Sequence, residues 1–346
     1  MQSLSIPYPD DWHCHLRDQS VLSRTVADTA HRFRRAIVMP NLLPPITSVA
    51  AAQAYLDRIK QHIPSGNLFQ PLMTLYLTND ISPTEIVAAK NSGIIFACKL
   101  YPAGATTHSD QGISLIDSIF PVLETMQEIG LPLLIHGETT DPETDIFERE
   151  SAFIDQVLSP LIEKFPKLRI VLEHISTQYA VDFIKQAPSH VAATITPHHL
   201  MINRNDLLVD GIHPHYYCLP IVKRASDQKA LIKAVISGNP KFFLGTDSAP
   251  HTSSKKESAC GCAGIYSAHA AVELYTQLFD KYDALDKLSG FASEFGAQFY
   301  RLPINTDRMT LIKQTWDVSE TLAFGENTLI PFHAGKTLQW QISNEH

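Results

Sequence analysis

The stretch Ile94-Ile95-Phe96-Ala97-Cys98-Lys99-Leu100 decides how the rest of the chain is read. Its apolar residues run on instead of alternating with polar ones. Short continuous runs of this kind fit strands covered on both faces, as in a parallel sheet. Working outward, the same pattern recurs. Strands are expected near 11–15 (DWHCH), 35–39 (RAIVM) and 70–76 (QPLMTLY) on one side. On the other they are expected near 132–136 (PLLIH), 169–174 (RIVLEH), 191–196 (VAATIT) and 241–247 (KFFLGTD). Helical periodicity falls near 21–33, 48–62, 83–91, 114–129, 146–165, 177–187 and 226–237, then near 263–281 and 286–299. Ser82-Pro83-Thr84-Glu85 places a serine cap before a proline suited to a first helical position. Gly93 and Gly130 stand where helices should stop. Eight strand–helix units predict an α/β fold, a single closed (β/α)8 TIM-type barrel, with a doubly wound open sheet as the alternative. The stretch 303–346 reads as a C-terminal appendage packed on that barrel, so 1–346 is expected to form one domain.

Composition sets the outer bounds. The chain has 346 residues, 44% hydrophobic and 18% charged, which suits a globular protein with a large core. Lys and Arg total 28 against 36 Asp and Glu, and the net charge of −8 argues against a nucleic-acid or acidic-membrane partner. The five cysteines form no disulfide framework, and Cys260-Gly261-Cys262 lacks a second pair at zinc-ribbon spacing. The opening residues show no secretory pattern, and no apolar run approaches the roughly 20 residues that span a bilayer. A cytoplasmic location is expected.

The unusual component is histidine, 16 in all. In a barrel of this type, reacting groups come from the C-terminal ends of the strands. The predicted strands end in His13-Cys14-His15, Lys99, His136, His174 and Asp247, all on one rim. His13 and His15 are two apart, so on a strand they share a face. Two neutral imidazoles on one face are a natural first grip on zinc, although alone they also fit hydrogen-bonded strand-end histidines. Lys99 sits in an apolar run where a lone ammonium is costly. It could reach the rim, pair with a carboxylate, or react with carbon dioxide to become a metal-bridging carbamate. Asp247 suits a ligand, a general base or a helix cap. The pair His198-His199 is better suited to supporting roles than to ligation.

Together these residues resemble the amidohydrolase superfamily of binuclear-metal barrels, and within it the dihydroorotases of the bacterial single-function type. The resemblance runs over nearly the whole chain. It includes Asp11–Asp18 (DWHCHLRD), Val38–Leu42 (VMPNL), Cys98–Thr107 (CKLYPAGATT), Ile135–Glu138 (IHGE), Leu172–Ser176 (LEHIS), Tyr217–Pro220 (YCLP) and Gly245–His251 (GTDSAPH). It implies a reversible cyclisation of N-carbamoyl-L-aspartate to L-dihydroorotate, the third step of pyrimidine synthesis. It further implies two zinc ions per subunit, one held by His13, His15 and Asp247 and the other by His136 and His174. Lys99, as N6-carboxylysine, would bridge them together with a hydroxide. Asp247 would be the catalytic acid and base. Arg17, Asn41 and His251 would hold the substrate carboxylate, His136 would also face the substrate, and Leu219 and Ala263 would contribute backbone contacts. Thr106 and Thr107 would lie on a mobile loop that closes on the substrate, and the enzyme would be a homodimer. A hydantoinase-like enzyme would share the metals but not the carboxylate clamp. A non-catalytic relative would have lost ligands, and all six are present.

Overall fold

In the computed structural model, which describes residues 2–343, each of the eight runs forms a parallel strand. An additional edge strand, β1 (Ser3–Pro7), precedes them. The eight are β2 (Asp10–Cys14), β3 (Arg35–Val38), β4 (Gln70–Tyr76), β5 (Ile95–Leu100), β6 (Leu133–His136), β7 (Ile170–Glu173), β8 (Val191–Ile195) and β9 (Phe242–Leu244). They follow one another around a single sheet in chain order. The seam between first and last is held just beyond β9, where Asp247 N–H donates to His13 O at 2.9 Å and His15 N–H donates to Ser248 O at 3.0 Å. This is the expected (β/α)8 barrel rather than an open doubly wound sheet.

The period of two sorts side chains between two cores. Cys98, Leu100, Leu133, Ile135, Ile170 and Leu172 face outward and join the large core beneath the helices. Ala97, Leu134, Val171, Ala192 and Phe243 face inward and form a separate apolar cluster with Trp12 and Tyr300. Tyr300 stacks on Trp12 with ring centroids 4.5 Å apart, so a late helical segment plugs the barrel against its first strand. Gly296 permits that approach: a Cβ there would lie 1.9 Å from the Trp12 indole nitrogen.

Local signals placed several boundaries correctly. Ser82 Oγ accepts from Glu85 N–H ahead of the helix Pro83–Asn91, and Gly130 ends the helix Phe120–Ile129 in the left-handed region at φ 68°. Other segments needed correction. The span 114–129 begins with a 3-10 turn, Ile116–Ile119. The spans 146–165 and 286–299 are interrupted by π turns at Ile154–Leu158 and Gly290–Glu294. The helix expected from 263 starts only at Ala271; Ala263 and Gly264, at its expected start, line the rim cavity instead. The last predicted strand stops at Leu244, leaving Asp247 three residues beyond it.

The appendage contains β10 (Arg308–Asp317), β11 (Leu322–Phe324), β12 (Asn327–Leu329) and β13 (Thr337–Ile342). β11 and β12 form a hairpin, whereas β10 pairs on one side with β13 and on the other with β1. The small sheet is therefore not C-terminal alone, because Ser3 lies opposite Ile312. Residues 344–346, including His346, lie outside the described residues. Among the described residues no helix is long and apolar enough to cross a membrane.

Candidate active site at the barrel rim

The floor of the rim cavity is built from β2 and from the segment after β9. Asp11, fully buried on β2, accepts at Oδ1 from the backbone N–H of His13 (3.1 Å) and of Thr246 (2.9 Å), and at Oδ2 from Thr246 Oγ1 (2.6 Å). One carboxylate thereby fixes the backbone that presents His13 and the backbone that presents Asp247. The result is tight: His13 Nε2 lies 3.2 Å from His15 Nε2, and Asp247 Oδ1 lies 3.2 Å from the former and 3.1 Å from the latter. Cys14 points away, as the strand period requires, into the outer core.

Three further strand ends complete the cup. His136 ends β6, and its ring centroid is 4.8 Å from that of His174, which directly follows β7. His174 lies 5.1 Å from His13 by the same measure, and its Nδ1 is buried without a hydrogen-bond partner. Lys99, on β5, is wholly buried, and its Nζ contacts the Glu173 carboxylate. This is the carboxylate pairing that the sequence left open. Glu173 Oε1 also lies 3.0 Å from His13 Nδ1, although misaligned for a hydrogen bond.

Electrostatics follow from burial opposed by pairing. Burial disfavours a charged Asp247, but His13 and His15 outweigh it and hold this carboxyl well below the usual carboxylate range. Burial likewise opposes the His13 proton, yet Glu173 and Asp247 raise it to about 9. Burial and neighbouring Arg17 prevail at His15, which falls to about 4. Backbone strain marks the same places: Arg17, His174 and Asp247 have φ of 59°, 44° and 44°, a region that side chains with a Cβ rarely occupy.

One wall carries the residues expected to bind a carboxylate. Arg17 donates from Nε to Pro250 O at 3.2 Å, and its Nη2 lies 3.1 Å from His251 Nε2, which is 2.9 Å from Ala263 O. Arg17 Nη1 is buried and has no protein partner. Asn41 and Leu219 line the same cavity. The segment Pro102–Gly112 folds down over it: Thr107 O accepts from Asn41 Nδ2 at 3.0 Å, and Thr107 Oγ1 donates to Ala263 O at 3.4 Å. Thr106 also faces in.

The structure thus gathers His13, His15, Arg17, Asn41, Thr106, Thr107, His136, His174, Leu219, Asp247 and Ala263 around one cavity. Lys99 lies sealed behind the rim, and His251 faces an adjoining hollow that shares Arg17 and Thr107. Sequence reasoning assigned no role to Glu173, Glu138 or Asp11. Glu138 Oε2 is 2.9 Å from His136 Nε2. The available signal was a buried-type strand ending in an acid, as in Val171-Leu172-Glu173, because such acids need partners. A second buried group, His198, His199 and Cys218, stands apart. His199 bonds Thr196 Oγ1 and Pro220 O, and Cys218 donates to that same Pro220 oxygen, so these two are already satisfied within the protein.

No family model matches the chain. Whole-protein comparisons are decisive instead. It is 62% identical to the dihydroorotase of Coxiella burnetii, covering 100% of both chains. Among solved structures, dihydroorotase from Campylobacter jejuni superposes with a TM-score of 0.91 at 35% identity, covering 99% of this chain and 98% of that one. The Saccharomyces cerevisiae dihydroorotase, solved with 5-fluoroorotic acid, gives 0.90 at 33% identity, covering 99% of each. A cup of buried histidines and acids on a (β/α)8 barrel, together with full-length identity of this order, makes this chain a member of the dihydroorotase family of cyclic amide hydrolases.

Proposed function

We propose that this cup closes N-carbamoyl-L-aspartate into L-dihydroorotate and reopens the ring, as the family name implies. The observation that carries the proposal is the pairing, in one cavity, of a chelating floor with a wall whose buried Arg17 Nη1 has no partner of its own. A carboxylated ring that must lose or gain water at an amide requires both. The yeast relative's ligand, 5-fluoroorotic acid, is likewise an acid on a pyrimidine ring.

The donor set fits divalent cations. Ligand atoms of His13, His15 and Asp247 lie within 4.8 Å of one another, and the orphaned His174 Nδ1 is a ready imidazole donor. His13, His15 and Asp247 would hold one zinc, His136 and His174 a second. Lys99, as the carbamate, would bridge them once carbon dioxide has added to its neutral amine with loss of a proton. Bound zinc would supply Lewis acidity and a hydroxide near neutral pH.

The protein's own groups do the rest. In ring opening, Asp247 accepts the proton of the attacking oxygen and delivers it to the departing ring nitrogen. In ring closure it removes the proton of the ureido nitrogen. Arg17 presents a planar fork to the substrate carboxylate, flanked by Asn41 and His251. Leu219 and Ala263 offer backbone groups, and Thr106 and Thr107 close from above. For substrate to take Asn41 and Ala263, the loop must surrender its bonds to them, so it has to move in each cycle.

The test is direct. Purified protein is given L-dihydroorotate and hydantoin side by side, before and after chelation, with metal analysis. Turnover of the first, lost on chelation and restored by about two zinc per chain, is expected. Preference for hydantoin would favour the rival hydrolase. On family grounds we further assign a cytoplasmic homodimer of one-domain subunits, with 303–346 as an appendage; sedimentation as a monomer would refute the dimer.

A further inference from the structure

Behind the carboxylate wall lies a buried lysine that the chemistry above does not use. Lys256 ends the short helix Ser253–Lys256 and is 3% exposed. Its Nζ donates to three backbone carbonyls: Tyr217 at 2.6 Å, Cys262 at 2.9 Å and Gly264 at 2.8 Å. An ammonium has three N–H donors, and here each has an acceptor. Among the described residues no carboxylate pairs with it. The three carbonyls belong to two strips of chain that Lys256 joins. One runs through Tyr217 to Leu219, the other through Cys262, Ala263 and Gly264. A single backbone bond, Gly264 N–H to Tyr217 O at 3.0 Å, also joins them.

We infer that Lys256 is a positioning residue, a three-way clip that sets the distance between the substrate-facing backbones at Leu219 and Ala263. The inference rests on the reading of those two residues as substrate contacts. Burial pulls the Lys256 ammonium down to about 8, opposed by Cys218 and Cys262, so this cation is costly to keep. A neutral side chain would fill the same space more cheaply but could not converge on three carbonyls. Gly264 shows why the spacing matters. It holds φ +148° and sits so close to Ala249 that a Cβ would come within 2.5 Å of the Ala249 oxygen. Ala263 thus lies between two residues, Cys262 and Gly264, whose carbonyls Lys256 holds, and the second of them is packed closely on Ala249. The Ala263 carbonyl is the one His251 and Thr107 both address.

The test uses the full chain with zinc supplied. Steady-state constants for L-dihydroorotate are measured for wild type, Lys256→Met and Lys256→Gln. The methionine variant should raise KM by about 10- to 100-fold, the worth of a displaced hydrogen bond to a charged substrate that is lost equally from ground and transition states. Its kcat and zinc content should stay within about threefold of wild type, because the metal floor is built elsewhere. Lys256→Gln keeps two donors and should fall between. If the methionine variant fails to fold, the glutamine variant alone decides, by a raised KM at preserved zinc content. Unchanged KM in a folded variant, or a fall in kcat alone, overturns the clip. Arg17→Met is run in parallel. If it too leaves KM unchanged, the carboxylate wall itself has been misassigned; if only the Lys256 variants are silent, the clip alone fails.

Discussion

At the N-terminal end of the barrel, Ala97, Leu134 and Val171 face an apolar plug. Two residues further along the same strands, Lys99, His136 and Glu173 face the cup. The two sets are only roughly 6–7 Å apart along each strand. At one end Trp12, Phe243 and Tyr300 fill the interior with rings. At the other, imidazoles, carboxylates and the Lys99 amine are buried around the cup, most of them held by a neighbour of complementary character. The same inward positions therefore serve cohesion below and chemistry above. Damage at the two ends should be separable, and that separation can be tested.

The largest effect is expected at the top. Asp247→Ala should lower turnover per folded molecule by about 100- to 10,000-fold in initial-rate assays, the usual worth of a general acid–base. Near-normal rates would remove Asp247 from the chemistry. Tyr300→Ala is the opposite case. It empties the stack on Trp12 and should cost about 3–5 kcal/mol in denaturant unfolding, with kcat per folded molecule unchanged. A matching loss of kcat would mean that the two ends are coupled. Arg17→Met should raise KM by about 10- to 100-fold at nearly constant kcat, the loss of charge-assisted bonds to one carboxylate. The smallest effect comes with pH. Away from the plug, burial and nearby cations hold His269 at about 3, and burial with Lys336 close by holds His333 at about 4. The unfolded chain takes up these protons from about 6.5 downward and the folded chain does not, so stability is full above that pH and falls as pH drops below it. From pH 7 to pH 5 His269 alone should remove about 2 kcal/mol, measurable by urea unfolding. His269→Gln should flatten that slope, and an unchanged slope would rule His269 out as its source.

The contrast also explains what could be read in advance. Continuous apolar runs announced the strands because both faces are covered, and residue types at strand ends announced the cup because such groups have little other reason to be there. Glu173 escaped notice because a lone acid beside a histidine carries no motif of its own; its meaning comes from Lys99 and His13, which only the closed barrel brings near. Asp11 was hidden in the same way, since its partners at Thr246 lie 235 residues away. The edge strand Ser3–Pro7 went unseen because its burial is mixed and its partner lies more than 300 residues on. The π turns depend on local insertion of a residue into a helix, which the 3.6-residue period does not reveal.

The pairing of Ser3 with Ile312, and the stacking of Trp12 on Tyr300, has a consequence for biogenesis. A ribosome threads out the first two strands long before residues 300–312 exist, so the Trp12 ring of β2 and the open edge of β1 must wait unpartnered through most of synthesis. The last helix and the tenth strand act as a latch that snaps shut after translation has passed them, and a nascent chain stalled short of that point should attract chaperones.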